Sequence, residues 1–229
     1  MKKNLDPTLR LLCEGSSDIF FIANFKDLVG LEHLKPTGEP TSDNLDGQGE
    51  SFVFKKLPEA IYISGLRSLG VVLDADNDLQ GKWKKIADLL KAKGFEKYNS
   101  NFELPEITKE GIIVDFERFR FGLWFWPDNE REGDLETLLE ELIEDDKGFP
   151  ISKSTVNQVI EDNLSALKEK DRRKSQIHTW LGFQKEPGRP IGQSVKNGSI
   201  NLFKEDGKTL KNETLILFKF WLQRLYSHD

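Results

Sequence analysis

Two short apolar runs in this sequence each stop on a group of carboxylates, and this pattern constrains the fold more than any other feature. The first run, residues 9–13, ends at Glu14, and the second, residues 69–73, ends at Asp74 and Asp76. Continuous apolar runs of this length are typical of strands that are buried on both faces of a parallel sheet. Ligands bind at the carboxyl ends of such strands. The sequence therefore predicts two adjacent parallel strands with an acidic site at their ends.

The segments around these strands predict several helices and one loop. Apolar residues recur at helical spacing after Asp18, in residues 51–63, in residues 80–93 and after Asp134. Residues 36–49 are rich in Gly, Pro, Thr, Ser and Asp, and this composition predicts a loop.

Two further strands and a helical C-terminal part complete the predicted fold. Residues 111–116 and 119–126 are separated by a short link, which predicts a hairpin. From Ser152 onward the pattern is mostly helical. Strand–helix alternation followed by helices predicts an α/β fold, with a small, mostly parallel sheet flanked by helices and an α-helical C-terminal extension. We expect residues 1–150 to form the core and residues 151–229 to pack on it within one structural unit.

The composition limits the location and the partners of the chain. Among 229 residues there is a single cysteine, Cys13, which excludes an intramolecular disulfide framework and a multi-cysteine zinc site. No apolar run is long enough to span a bilayer, so we expect a cytoplasmic protein without a membrane partner. The net charge of −6 argues against coating nucleic acid by bulk charge. It leaves a metal-dependent nuclease open, because bound divalent ions supply positive charge locally.

The spacing of Asp74 and Asp76 predicts a metal site. In an extended strand end, alternate carboxylates point to the same side. Two charges this close repel and raise each other's pKa unless a cation is bound. Together with Glu14 they form the hard oxygen-ligand set that Mg²⁺ or Mn²⁺ prefers, and Asp78 extends the cluster. A calcium loop is the rival interpretation, but the residues after Asp78 lack a bidentate glutamate at the required offset.

Three other charged positions are candidates with ordinary alternatives. Glu136 is the best ligand candidate in the acidic stretch after Trp126, and the rival is a solvated loop followed by an acidic first helical turn. Lys174 ends a basic segment, residues 168–174, that offers phosphate contacts, and a solvated helix face is its equal rival. Asp18 lies in the first turn of a predicted helix, where the helix dipole alone favours an acid.

These residues resemble the pattern of the Toprim superfamily, the catalytic domain shared by topoisomerases, bacterial-type primases, recombination-repair proteins and OLD-family nucleases. That pattern is a strand ending in Glu-Gly, then a helix, and later a strand ending in Asp-x-Asp. Here Glu14-Gly15 and Asp74-Ala75-Asp76 match it, over about the first two thirds of the chain.

The closest resemblance is to the Toprim-like domain-of-unknown-function proteins of bacteria and archaea, with OLD-family nucleases more distant. It spans most of the chain and rests on residues 11–18, 125–129, 133–136, 174–181 and 190–193. It implies a Toprim-like fold.

The sequence and the resemblance together predict a divalent-metal-dependent phosphodiesterase, a nuclease acting on DNA or RNA. Glu14, Asp74 and Asp76 would hold Mg²⁺ or Mn²⁺, and Asp78 or Glu136 would join a second ion. Glu14 is also a candidate general base. Lys174 or a neighbouring cation would hold the phosphate.

The alternative is a non-catalytic Toprim-like module that binds a nucleotide or a protein partner, in phage defence or DNA repair; a homo-oligomer is also left open. The position of the basic segment distinguishes the two hypotheses. An enzyme is favoured if Lys174 folds beside Asp74, and a binding module if it lies on the far face.

Overall fold

The structure is a computed structural model that describes residues 6–34, 36–39, 49–92 and 105–227. Its strands are β1 (Asp6–Cys13), β2 (Pro36–Glu39), β3 (Ser68–Asp74), β4 (Ile112–Asp115) and β5 (Arg120–Trp126). Its α-helices are α1 (Ser16–Leu28), α2 (Glu50–Ala60), α3 (Leu79–Ala92), α4 (Leu135–Ile143), α5 (Phe149–Glu161), α6 (Arg172–Gly182), α7 (Ile191–Lys196) and α8 (Glu213–Tyr226). A short 3-10 helix, Glu169–Asp171, precedes α6.

The five strands form one sheet in the order β2-β1-β3-β5-β4. Strand β1 runs parallel to β2 and β3, and β3 runs parallel to β5. Leu12 of β1 lies opposite Val71 of β3, so the predicted pairing of the two apolar runs is confirmed. Strands β4 and β5 pair in antiparallel fashion, which confirms the predicted hairpin. The predicted fold class, a mostly parallel α/β sheet flanked by helices, is confirmed as well.

One prediction was wrong at the edge of the sheet. Residues 36–39 form strand β2, although the composition of residues 36–49 predicted a loop. Strand β2 lies at the edge of the sheet and begins with Pro36. Proline has no N–H to donate to a neighbouring strand, and it is tolerated at the first residue of an edge strand because the hydrogen bonds between the central strands do not depend on it. The rest of that predicted loop, residues 40–48, lies outside the described residues, as do Lys93 and Gly94 at the predicted end of the third helix.

The sheet separates two hydrophobic cores. Because alternate strand residues point to opposite faces, Val71 and Leu73 pack with α2 and α3, whereas Val72 packs with α1 and the helices from α4 to α8. Fully buried aromatic side chains fill this second core: Phe21, Phe25, Trp124, Trp126, Phe218 and Trp221. The C-terminal helices therefore share their core with α1 and α4, and the division at residue 150 stays a prediction. No helix in the described part of the chain is long and apolar enough to cross a membrane.

The last helix lies directly on two glycines of the sheet. Gly70 of β3 and Gly122 of β5 are paired neighbours. A Cβ atom on Gly70 would lie 2.5 Å from the Tyr226 hydroxyl and 2.9 Å from a Leu225 methyl carbon. The Tyr226 hydroxyl donates to the carbonyl of Arg10 at 2.7 Å. Only glycine at these positions allows α8 to approach the sheet this closely.

We expect Gly70→Ala to lower the free energy of unfolding by about 2 kcal/mol, because the new methyl group overpacks the contact with α8. Urea unfolding followed by circular dichroism measures the change. Gly182→Ala is the matched control, since a Cβ there meets nothing within 4 Å and the residue is exposed in a helix. The control should be neutral or more stable by about 0.5–1 kcal/mol. Equal effects of the two substitutions would contradict the packing argument.

Candidate active site

Glu14 and Asp74 meet at the carboxyl edge of the sheet. Glu14 follows the last residue of β1, and Asp74 is the last residue of β3. The backbone N–H of Asp74 donates to Glu14 Oε1 at 3.1 Å. Asp74 Oδ1 in turn accepts from the backbone N–H of Leu135 at 3.1 Å, at the beginning of α4. The predicted convergence of these two carboxylates at one end of the sheet is therefore present.

A cavity of about 860 Å³ lies at this edge. Its acidic lining residues include Glu14, Asp18, Asp74 and Glu136. The first turns of helices α1 and α4 also border it. Helix N-termini carry a partial positive charge, so both helices favour anions in this cavity.

Asp18 belongs to this site, although its sequence position was explained by the helix dipole alone. Its side chain is only 7% exposed. Asp18 Oδ2 accepts from the backbone N–H of Gly15 at 3.1 Å, and Oδ1 accepts from the indole N–H of Trp126 at 3.0 Å. The carboxylate thus connects the first turn of α1 to the aromatic core and faces the cavity.

The carboxylates of the cavity perturb one another. Burial, followed by the charges of Asp18 and Glu14, raises the pKa of Asp74 to about 9. Burial, with the charges of Glu136 and Glu14, raises the pKa of Asp18 to about 7. Burial is also the main cause of the raised pKa values of Glu14 and Glu136. At neutral pH this cluster favours binding either protons or a cation.

The carboxylate oxygens that line this cavity are chemically suited to bind a hard divalent cation. Carboxylate oxygens with raised pKa values gain most from a nearby positive charge, and Mg²⁺ or Mn²⁺ accepts such ligands together with water and phosphate oxygens. Within residues 6–34, 36–39, 49–92 and 105–227, no three Asp, Glu, His or Cys side chains converge as a ready-made metal site. An ion bound here would therefore complete its coordination with oxygens of water or substrate.

Asp76 is placed differently from the sequence-based expectation. Strand β3 ends at Asp74, and Asp76 has a φ angle of +47°, so the extended backbone does not continue to it. Its N–H and carbonyl pair with Gly133 at 2.7 Å and 2.9 Å. Its carboxylate forms an ion pair with Lys82 and is 59% exposed. The assumption that Asp74 and Asp76 share one side of a strand was wrong, and metal binding by Asp76 stays a prediction.

The other two predicted ligands differ in their surroundings. Asp78 is exposed, and its Oδ1 accepts from the backbone N–H of Gly81 at 2.9 Å in the first turn of α3. Glu136 lines the cavity from the first turn of α4, where Asp134 is the N-cap and accepts from the Thr137 N–H at 2.8 Å. Glu136 therefore lines the same cavity as Asp74, whereas Asp78 does not, and a ligand role for either Glu136 or Asp78 stays a prediction.

The basic segment lies at the same cavity. Lys174 is exposed on α6, and its charge lowers the pKa of Glu136 against the effect of burial. Arg173 contacts Asp134 and Glu140, each at 3.2 Å. Cationic side chains that line this cavity are Lys153, Lys170, Arg172, Arg173 and Lys174. The basic segment and Asp74 therefore border one cavity, and the segment does not lie on the far face of the sheet.

Lys82 and Glu50 were missed by the sequence analysis. Lys82 is 7% exposed, and its ammonium contacts Asp76, Glu14 and Glu50. A signal for Lys82 was present, because it falls within the apolar stripe of α3 formed by Leu79, Trp83, Ile86 and Leu90. A lysine on the buried face of a helix indicates a buried partner. No comparable signal marks Glu50, which follows the segment predicted as a loop.

Comparison with known proteins gives one match. A family model described as a protein of unknown function (DUF3226) matches residues 8–227, from β1 to α8. No curated protein and no solved structure matches the chain. The matched range contains every residue of the cavity described above.

We expect the metal-free protein to lose stability as the pH rises from about 4 to about 9. An unfolded Asp titrates near pH 4, whereas the folded pKa values are about 7 for Asp18 and about 9 for Asp74. In this window the folded state binds more protons than the unfolded state, so raising the pH favours unfolding. Thermal unfolding in the presence of a chelator at several pH values measures the slope.

Asp74→Asn is the control for this effect. It keeps the oxygen that accepts from Leu135 but removes the titrating charge. The variant should show a flatter pH dependence and exceed the wild type in melting temperature at pH 8.5. Parallel pH profiles of the two proteins would show that Asp74 does not titrate as described.

Proposed function

We propose that this chain, which belongs to the DUF3226 family, is a divalent-metal-dependent phosphodiesterase that acts on nucleic acid. The observation that carries the proposal is the composition of the cavity at the ends of β1 and β3. Half-buried carboxylates with raised pKa values, among them Asp74 and Glu136, line it together with the cations of α6. Carboxylates that can hold a divalent ion, beside cations that can contact a phosphate, are the groups that metal-assisted phosphodiester hydrolysis uses.

The carboxylates that line the cavity would hold Mg²⁺ or Mn²⁺. Asp74 and Glu136 are the principal candidates, and Glu14 and Asp18 border the same space. The bound ion would polarise a phosphoryl oxygen and stabilise the charge that develops in the transition state. The N–H of Leu135 keeps the Asp74 carboxylate oriented, because it donates to Oδ1 from the beginning of a helix.

The protein's own side chains have separate roles in this scheme. Lys174 neutralises a phosphate oxygen and contributes to binding. The N-terminus of α1 presents backbone N–H groups to the same cavity, which favours a phosphate. Glu14 is the proposed general base. Burial raises its pKa, and a carboxylate with a raised pKa takes a proton from water more readily.

The distribution of charge explains how an acidic protein would bind a polyanion. The chain carries a net charge of −6, but its α6 segment places a local group of cations at the cavity. Bound divalent ions would add further positive charge at the same place. Binding would therefore depend on the cavity and not on the bulk charge of the surface.

A non-catalytic module that binds a nucleotide is the second candidate. It is favoured by the absence, among the described residues, of three acidic, His or Cys side chains converging as a metal site. The cavity volume of about 860 Å³ lies in the range of small-molecule sites. A role in phage defence or DNA repair and a protein partner stay predictions from the resemblance.

We expect Glu14→Gln to lower cleavage of a nucleic acid by about 100-fold or more, because it keeps the volume but removes the base. The assay uses single- and double-stranded DNA and RNA with Mn²⁺ or Mg²⁺. Glu32→Gln, at an exposed position that does not line the cavity, is the control and should cleave like the wild type. Absence of wild-type cleavage on all four substrates would favour the binding module.

We expect Lys174→Ala to weaken substrate binding with little change in the rate of the bound complex. Loss of one phosphate contact should reduce the slope of log affinity against log salt by about one. Lys208→Ala is the matched control, because Lys208 is exposed and does not line the cavity. Identical salt slopes for wild type and Lys174→Ala would exclude the phosphate contact.

We expect Mn²⁺ to raise the melting temperature of the wild type, since a ligand that binds only the folded state stabilises it by about 2.7 kcal/mol at 100 times its dissociation constant. The shift should shrink in Asp74→Asn and persist in Asp88→Asn, which changes an exposed carboxylate outside the cavity. Differential scanning calorimetry measures it. Equal shifts in all three proteins would rule out a site at Asp74.

A further inference from the structure

Lys82 is a buried lysine at the edge of the acidic cluster. Its side chain is 7% exposed, although it belongs to the outer layer of helices as part of α3. Lysine is almost never buried unless its charge is paired. The partners of Lys82 therefore have to offset the cost of removing an ammonium group from water.

Four oxygens surround the ammonium nitrogen of Lys82. The carbonyl oxygen of Asp74 accepts from it at 2.8 Å, and the carboxylate of Asp76 accepts a further hydrogen bond. Glu14 Oε1 lies at 3.6 Å and Glu50 Oε2 at 3.5 Å. These oxygens come from the ends of β1 and β3 and from the start of α2. A set of carbonyl and carboxylate oxygens around one point is also how proteins hold a hard divalent ion.

The charge of Lys82 is maintained in this position. Burial lowers its pKa, but Asp76, Glu14 and Glu50 outweigh burial and raise it. Lys82 in turn lowers the pKa of Glu14 against the effect of burial. The ammonium of Lys82 therefore stays charged among these carboxylates.

We propose that Lys82 is a resident cation that occupies one of two cation positions at this site, so that the protein binds a single divalent ion on its cavity side. Asp76 is then the partner of the lysine, and Asp74 and Glu136 are left for the ion. The inference rests on the proposed function for the identity of that ion. Lys82 acts as a positioning residue, because it fixes Glu14 and the carbonyl of Asp74 without entering the lined cavity.

The Lys82 ammonium and a divalent ion cannot both occupy the position between Glu14 and Asp76. A Mg²⁺ or Mn²⁺ ion binds carboxylate oxygens at about 2.1 Å. Bound between Glu14 and Asp76, it would lie in the space that the ammonium fills and would be repelled by the positive charge of the ammonium. Removing the ammonium should open this position.

The test counts Mn²⁺ ions bound per chain, by equilibrium dialysis and electron paramagnetic resonance, in proteins whose fold is checked by circular dichroism. The wild type should bind one ion. Lys82→Met, which removes the charge and keeps the length, should bind two, and adding Asp76→Asn should return the count to one. Lys85→Met is the matched control, since Lys85 also pairs with Glu50, at 2.9 Å, but is 58% exposed. It should bind one ion.

If Lys82→Met does not fold, the Mn²⁺ affinities of two other variants test the role of Lys82. In the chain that keeps Lys82, Asp74→Asn should raise the dissociation constant for Mn²⁺ by about tenfold or more. Asp76→Asn should leave it nearly unchanged, because Asp76 contacts the lysine and not the ion. Equal losses of affinity in the two variants would overturn the inference.

The outcomes separate this inference from the proposed function. Two ions in the wild type, or one ion in a folded Lys82→Met protein, overturn the role of Lys82 and leave a metal-dependent enzyme standing. No ion in the wild type overturns metal dependence. If Lys82→Met then gains one ion that Asp76→Asn removes, the resident cation is still supported.

Discussion

The parallel pairing of β1 with β3 is the constraint on which the site depends. It brings the two carboxyl ends to one edge of the sheet, where the N–H of Asp74 donates to Glu14. Helix α1 begins directly after β1, and α4 begins against the Asp74 carboxylate. Two helix N-termini therefore point at the same cavity as two strand ends, and an anionic ligand is favoured there by geometry before any side chain is considered.

The carboxylate cluster is costly for the folded protein, and several features offset that cost. Asp18 is buried, but it accepts from the indole of Trp126 and from the N–H of Gly15. Lys82 neutralises Glu14 and Asp76 from the other side. The raised pKa of Asp74 shows that this compensation is incomplete. A further positive charge on the cavity side would reduce the remaining repulsion between the carboxylates.

The sequence predicted the fold and the centre of the site better than its periphery. Apolar runs ending on Glu14 and Asp74 were sufficient to predict strand pairing, because such runs are typical of strands that are buried on both faces of a sheet. Asp76 was misplaced because its left-handed backbone, with φ of +47°, depends on pairing with Gly133, which is distant in sequence. Strand β2 was missed because backbone pairing at an edge needs no apolar pattern. The apolar stripe of α3 marked Lys82 as buried, but its partners could not be predicted because they come from three separate segments.

The C-terminal helices are part of the site and not an addition to it. Helix α6 places Lys174 at the cavity while its other face, with Trp180 and Leu181, is buried in the same core as Trp126. Trp126 in turn donates to Asp18, so one aromatic core positions both the acidic and the basic lining of the cavity. A fragment that ends near residue 150 would lack the cations and expose the core of the sheet. The family match from residue 8 to residue 227 spans this whole unit, so the acidic and the basic lining of the cavity both lie within the matched range.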